Sequence, residues 1–159
     1  MPEAEAQATP AAAAGAAAAP IDPLRNFQFR IEIAGVTAGH FTEVSGLGVR
    51  VQTIRHREGG DHQIVRALPG AVDYADVTLR YGLTQNRDLW TWMLATIEGR
   101  VERRNISIVM LGTDGAAEMV RWNLFAAWPA EWQGAPLDAR GRDLAIETLK
   151  LSLDRLERA

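Results

Sequence analysis

The sequence predicts a mainly β domain, an antiparallel β-sandwich or flattened barrel with one α-helix. Three observations carry this. In several short runs apolar residues alternate with polar ones, the period of a strand with one buried face. Glycine, proline and Asp-Gly pairs punctuate the chain between those runs, as turns between strands require. Only one stretch, between Gly82 and Gly99, spaces its apolar residues as a helix does.

Residues 1–20 are Ala and Pro with a few polar residues, bounded by Pro2, Pro10 and Pro20. Beyond Met1 they hold no large apolar side chain to dock, so they read as a mobile tail before a domain spanning residues 21–159. Phe27, Phe29, Ile31 and Ile33 alternate with Gln28, Arg30 and Glu32 and predict the first strand. A stretch punctuated by Gly35, Gly39, Gly46 and Gly48 follows, and then residues 49–57 alternate less cleanly as a second strand. Over residues 58–70 the pattern is lost. Glu58, Gly59, Gly60 and Asp61 at one end and Leu68, Pro69 and Gly70 at the other predict a long loop with turns at both ends, a candidate arm between subunits or rings.

Residues 74–81 read as a strand with Val77 and Leu79 inward, stopped by Gly82. Thr84 to Asn86 offer helix N-caps, and Asp88 stands where the helix dipole favours an acid. Leu89, Trp92, Met93 and Ile97 then share a helical face before Gly99. Residues 105–111 form an apolar strand, Thr113-Asp114-Gly115 a turn, and residues 118–127 its hairpin partner. After a loop at 134–142, residues 144–156 close the chain as a strand in which Leu149, Leu151 and Leu153 alternate with Lys150, Ser152 and Asp154.

Length and composition exclude several classes. A chain of 159 residues, 47% hydrophobic and 23% charged, suits one soluble domain with a sizeable core. Its net charge of -3 comes largely from Glu3 and Glu5 and gives no field for capturing nucleic acid or a membrane. There is no cysteine, hence no disulfide, thiol catalysis or thiolate metal site. Acids stand where a signal peptide needs bases, so synthesis in the bacterial cytoplasm is expected.

The remaining candidate sites are weak. His40, His56 and His62 match no metal-ligand spacing. Trp90, Trp92, Trp122, Trp128 and Trp132 each bury about 150 to 250 Å², so core or interface outweighs a carbohydrate- or base-stacking platform. Arg100, Arg103 and Arg104 interleave with Glu98 and Glu102 as an ion-pair face. Gly46-Leu47-Gly48 lacks the third glycine and the helix of a dinucleotide loop. No nucleophile, base or paired-carboxylate pattern stands out, so no catalytic, cofactor or metal residues are assigned.

A series of short motifs remains: Leu68-Pro69-Gly70, Arg80-Tyr81-Gly82-Leu83-Thr84, Arg103-Arg104-Asn105, Trp122-Asn123-Leu124 and Ala127-Trp128-Pro129, joined by Leu137-Asp138-Ala139 and Glu147-Thr148-Leu149. In this order, over residues 22–156, the chain resembles the tail tube proteins of contractile phages and phage-derived injection systems. The resemblance implies a structural role for Gly82, Thr84, Trp92, Arg103, Arg104, Asn105, Trp122, Asn123, Trp128, Pro129 and Glu147. It implies no enzyme and no cofactor, but a subunit of hexameric rings whose sheets join into one β-barrel and which stack into an inner tube. The implied partners are further copies of the chain, a contractile sheath protein, baseplate and tube-terminator proteins, and a cargo effector or DNA in the lumen, all within a tail or an injection particle released from the cell. A tube-initiator or baseplate ring and a secreted type VI ring are the close alternatives; a carbohydrate-binding sandwich is the distant one. Two features depart from the family pattern: Tyr81, where a basic residue is usual, and the Ala/Pro tail.

Overall fold

A computed structural model describes residues 28–34, 36–38, 41–57, 59–60 and 64–159. The tail at 1–20, together with Phe27, Gly35, Gly39, His40, Glu58, Asp61 and His62, lies outside the described residues. The alternating runs become strands in chain order: β1 Phe29–Ile33, β2 Val36–Ala38, β3 Phe41–Ser45, β4 Val49–Arg57, β5 Val65–Tyr74 and β6 Val77–Gly82. Helix α1, Asp88–Ile97, follows, and then β7 Arg104–Leu111, β8 Glu118–Gln133, β9 Ile146–Ser152 and β10 Arg155–Arg158. The fold is mainly β and antiparallel, with one helix among the described residues.

The strands form a sandwich whose two layers share β8. Its upstream half pairs with β7 and β10, and β1 and β2 extend that layer; its downstream half pairs with β9, and β6 and β3 extend the other. The alternation in each strand sends Ile31, Ile33, Ile106, Ile108 and Leu124 from one layer against Val77, Leu79, Leu149 and Leu151 from the other. Burying aliphatic side chains of this size contributes about 1.5 to 3 kcal/mol each, which makes this face the main source of stability. Trp92 joins the same core from α1. Its indole Nε1 donates to the Glu102 carbonyl at 2.7 Å, and the Arg104 guanidinium lies 4.9 Å from its ring centroid.

One strand serves two layers because it is kinked. Arg104 pairs with Ala127 but Ile106 with Leu124, so Phe125 and Ala126 together oppose Asn105 in a β-bulge. Ala126 takes φ +54, rare for a residue with a Cβ. The Asn105 side-chain oxygen accepts the Ala126 N–H at 3.2 Å, and the Phe125 carbonyl accepts the Asp154 N–H at 3.1 Å. Arg103 then grips both carboxylate oxygens of Asp154 at 3.0 and 3.1 Å. The Arg103-Arg104-Asn105 motif thus ties the bent β8 to the matching bend between β9 and β10.

Several expectations need correction. Residues 58–70 are not one long loop: Val65–Tyr74 is strand β5, paired with β4, so Leu68, Pro69 and Gly70 lie within a hairpin. Their irregular pattern reflects a strand exposed on both faces, which nothing forces to alternate. Tyr74 accordingly ends β5, and β6 begins at Val77. Strand β8 runs on to Gln133, beyond the expected end at 127, because it changes neighbours rather than stopping. Residues 144–156 are two strands, split at the bend before β10. The N-cap of α1 is Arg87, without a side-chain cap, and not one of Thr84 to Asn86; those residues shape the turn leading in, where Asn86 Oδ1 accepts the Asp88 N–H at 2.9 Å and Thr84 Oγ1 the Asn86 N–H at 3.3 Å. Ile97, expected inward, is 61% exposed.

Candidate functional site

The β4–β5 hairpin grows directly out of the core. Ser45 pairs with Thr78 at the end of β3–β6, and Val49 with Tyr74 at the start of β4–β5, so the two pairings share one register across a short joint. Gly46 holds that joint at φ +86, where a Cβ would stand 2.3 Å from the Asp76 carbonyl oxygen, so only glycine fits. The Gly48 carbonyl accepts the Ala75 N–H at 3.0 Å and keeps the two strands together through it. Gly46-Leu47-Gly48 is therefore a structural joint.

Beyond the joint the hairpin is a separate two-stranded sheet, and every residue of β4 is exposed. Val49, Val51, Ile54, Val65, Leu68 and Val72 stand in solvent at 41 to 59% exposure. A two-stranded ribbon is marginal alone, and an apolar one with unpaired edges is a surface built to be covered. The Leu68-Pro69-Gly70 motif shapes it. Val51 pairs with Val72 and Thr53 with Pro69, so Gly70 and Ala71 bulge opposite Gln52. A Cβ on Gly70 would lie 3.1 Å from both the Gln52 carbonyl oxygen and Ile54 Cγ1. Pro69 offers no N–H to an incoming strand, which restricts pairing at that point of the edge. The two strands carry Arg50, Arg55, Arg57 and Arg66 against the single acid Asp73.

The second candidate surface is the layer formed by β3, β6, β9 and the downstream half of β8. Among the described residues neither β3 nor this half of β8 has a strand on its outer edge. The outward face of the layer is polar and ties up its own charges. Arg80 donates to Glu43 at 3.1 Å, Ser152 to Asp76 at 2.8 Å, and Lys150 stands 3.9 Å from both Asp76 and Glu131. Thr78, Gln133 and Thr148 line a shallow hollow between them.

The other motif residues are held in the body. Asn123 accepts the Ser107 hydroxyl at 2.8 Å, Trp122 packs against the core, Pro129 is fully buried, and Trp128 pairs with Ser152. Gly82 makes the last pair of β6, with Ile146, while Thr84 starts the turn into α1. Glu147 pairs with Tyr81 in the register. Burial pushes the Tyr81 phenol up to about 12, and the Glu147 charge adds to this. The Tyr81 hydroxyl and Trp132 Nε1 are both buried without a hydrogen-bond partner, so burial first and the nearby Glu147 charge second, rather than a formed bond, underlie that shift.

The tryptophans do not form one platform: Trp92 is buried, Trp122 packs on the core, and Trp90 sits edge-on to Trp132 at 4.8 Å. Arg100, Arg103 and Arg104 pair with Glu98, Asp154 and Glu102, the ion-pair face expected. His56 is exposed on β4, and no group able to hold a metal occurs among the described residues. Sequence reasoning missed a quartet on the β1–β7–β8 layer. Glu32 accepts from Arg30 and from Arg121 at 3.0 Å each, and Glu118 accepts from Arg121 at 2.8 Å and also pairs with Arg30. Hydrogen bonding to Arg121 holds the Glu32 carboxyl below its ordinary value, reinforced by Arg30 and opposed by burial. Opposite charges two apart on β1 and three apart on β8 were the only signal, legible once the register is known.

Residues 25–157 match the family model of the T4-like virus tail tube protein gp19. The chain belongs to that family. No curated protein sequence matches. Among solved structures related to this tail tube chain, the anti-feeding prophage tube-terminating cap is 25% identical, with a TM-score of 0.81 over 89% of this chain and 93% of its own. A chain of the PVC sheath-tube complex, an extracellular contractile injection system in its extended state, is also 25% identical, with a TM-score of 0.79 over 86% and 91%. Hcp1 from Flavobacterium johnsoniae shares the fold at 15% identity, with a TM-score of 0.53 over 83% and 94%. The first two come from a tube-terminating cap and a sheath-tube complex, and the mainly β sandwich is common to all three. Among the described residues no helix is long and apolar enough to cross a membrane.

Proposed function

We propose that this chain is a structural, non-catalytic subunit of the inner tube of a contractile tail or injection system, forming hexameric rings that stack around a lumen. The observation that carries this is the four-strand layer whose two edges are unpaired among the described residues, joined to a hairpin whose apolar side chains stand in solvent. An edge β3 meeting the β8 edge of the next copy is a head-to-tail contact, and such contacts close into rings. Six layers of four strands give a barrel of about 24 strands. At ~4.8 Å between strands and a tilt of about 40°, it is roughly 45 to 50 Å across at the backbone. That is wide enough for duplex DNA or a small protein. In this reading the self-paired polar face of the layer lines the lumen, and a sheath protein surrounds the tube. Baseplate and terminator proteins bound its ends, and the particle carries it out of the cell. The domain is residues 21–159, with 1–20 as an appended tail.

Electron microscopy of the purified chain tests this: rings or tubes with a central hole are expected, and a strict monomer at high concentration refutes it. Excising residues 50–73 and joining the ends by a short turn is expected to leave the body folded, because the hairpin supplies none of the core and the joint already brings Gly48 and Ala75 together. Assembly is expected to be lost. A second reading, a terminal ring, is favoured by the likeness to the tube-terminating cap, which is as close as that to the sheath-tube chain. A tube subunit elongates with concentration, whereas a terminal ring stops at one layer.

A further inference from the structure

We propose that the exposed apolar stripe of helix α1 is the seat for the β4–β5 hairpin of a second copy. Trp90, Leu94 and Ile97 recur at i, i+4 and i+7 and so share one face. They are 40, 38 and 61% exposed, and Val101, past the turn at Gly99, is 48% exposed. This face is separate from the Trp92 face that enters the core; Trp90 at its start rests edge-on against Trp132 of β8, while Leu94 and Ile97 stand in solvent.

The occupant follows from complementarity. Helix α1 carries the acid Asp88 and no basic residue, and its last turn lacks the cation that the negative end of a helix dipole favours. The hairpin face bearing the Ile54–Leu68 pair combines apolar and basic groups. By the strand alternation and the register, Arg50, His56 and Arg66 stand on the same side of the ribbon, with Asp73 opposite Arg50, so two arginines face one acid there. Ile54 and Leu68 are 54 and 45% exposed. Apolar side chains can thus meet the stripe while arginines face the helix C-terminus. The spans also fit: the nine-residue β4 extends about 30 Å at ~3.3 Å per residue, and α1 about 15 Å, so the hairpin reaches past the stripe from the body that bears it. The proposal rests on the reading that copies of this chain associate, and it names the surface that receives the arm.

The chain has no cysteine, so introduced thiols report contacts without background. Leu94→Cys and Ile54→Cys variants are mixed, assembled and oxidised, beside a control pairing Ile54→Cys with Met119→Cys, another exposed apolar position. An interchain disulfide at least tenfold more abundant in the first mixture than in the control is expected. Ile97→Lys, at a solvent-exposed position, is expected to reduce assembly at least tenfold with an unchanged circular dichroism spectrum and melt. Assembled wild type with no Leu94–Ile54 bridge above the control, or an Ile97→Lys variant that assembles normally, overturns this proposal and leaves the assembly reading standing. A monomeric wild type overturns both.

Discussion

Replacing Trp92 with alanine removes the largest side chain of the core, and its effect can be set against the same change at Trp90, two residues away. Trp92 is 1% exposed. Burying ~150 to 250 Å² of indole at ~25 cal/mol/Å² corresponds to about 4 to 6 kcal/mol. That is an upper bound, because unfolded chains already hide some apolar surface. Truncation also leaves the Glu102 carbonyl without its indole donor and removes the ring beneath Arg104. Partial collapse of the cavity brings the expected loss to about 4 kcal/mol. Trp90 is 40% exposed, so its loss forfeits a little over half of the area term plus an edge-on contact with Trp132, and water reaches the site. About 2 kcal/mol is expected there. With a urea slope of roughly 2 kcal/mol/M, the two midpoints should differ by about 1 M at equal slope. Equal midpoints would show that Trp92 does not anchor the helix and would refute the face assignment.

Three further outcomes follow from the geometry. Gly46→Ala should cost more than about 2 kcal/mol, because its Cβ would meet the Asp76 carbonyl at 2.3 Å and φ is +86. Gly48→Ala, whose Cβ would meet only Ala75 Cβ at 3.5 Å, should cost about 1 kcal/mol or less in the same titration. Ala126→Gly should be neutral or stabilise by up to about 1 kcal/mol by relieving a positive φ, whereas Ala126→Val should destabilise by more than about 1 kcal/mol; the reverse order would rule out the kink as drawn. The depressed pKa of Glu32 means that its ionised form stabilises the fold above the ordinary carboxylate range and that this contribution fades as pH falls through the depressed value. Glu32→Gln should therefore lose stability near neutral pH and approach the wild type in acid, and a gap that does not change with pH would contradict the pairing with Arg121.

The sequence by itself determined the class, the helix and most of the core. Ile31, Ile33, Val77, Leu79, Leu149 and Leu151 declared themselves because a half-buried strand must alternate, and that constraint is local. Trp92 was legible from helical spacing for the same reason. Family membership was also readable, because the motifs are short and contiguous. Only the tertiary structure decided what those motifs do. Asn105 reads as an ordinary polar residue until β8 is seen to bulge opposite it, and Arg103 gains its purpose from Asp154, distant in sequence and adjacent at the corner. Of the hairpin, β4 was legible at 49–57 from a loose alternation, but β5 was misread as loop for the converse reason: exposed on both faces, it is under no burial constraint in the isolated subunit. Ile97 points outward although its spacing is that of the core face of Leu89, Trp92 and Met93, since periodicity says that a face is to be covered but not by what. Among the described residues, the surfaces left in solvent include the hairpin, the sheet edges and the Leu94–Ile97 end of α1, and they are set by how the layers meet rather than by any local run of residues.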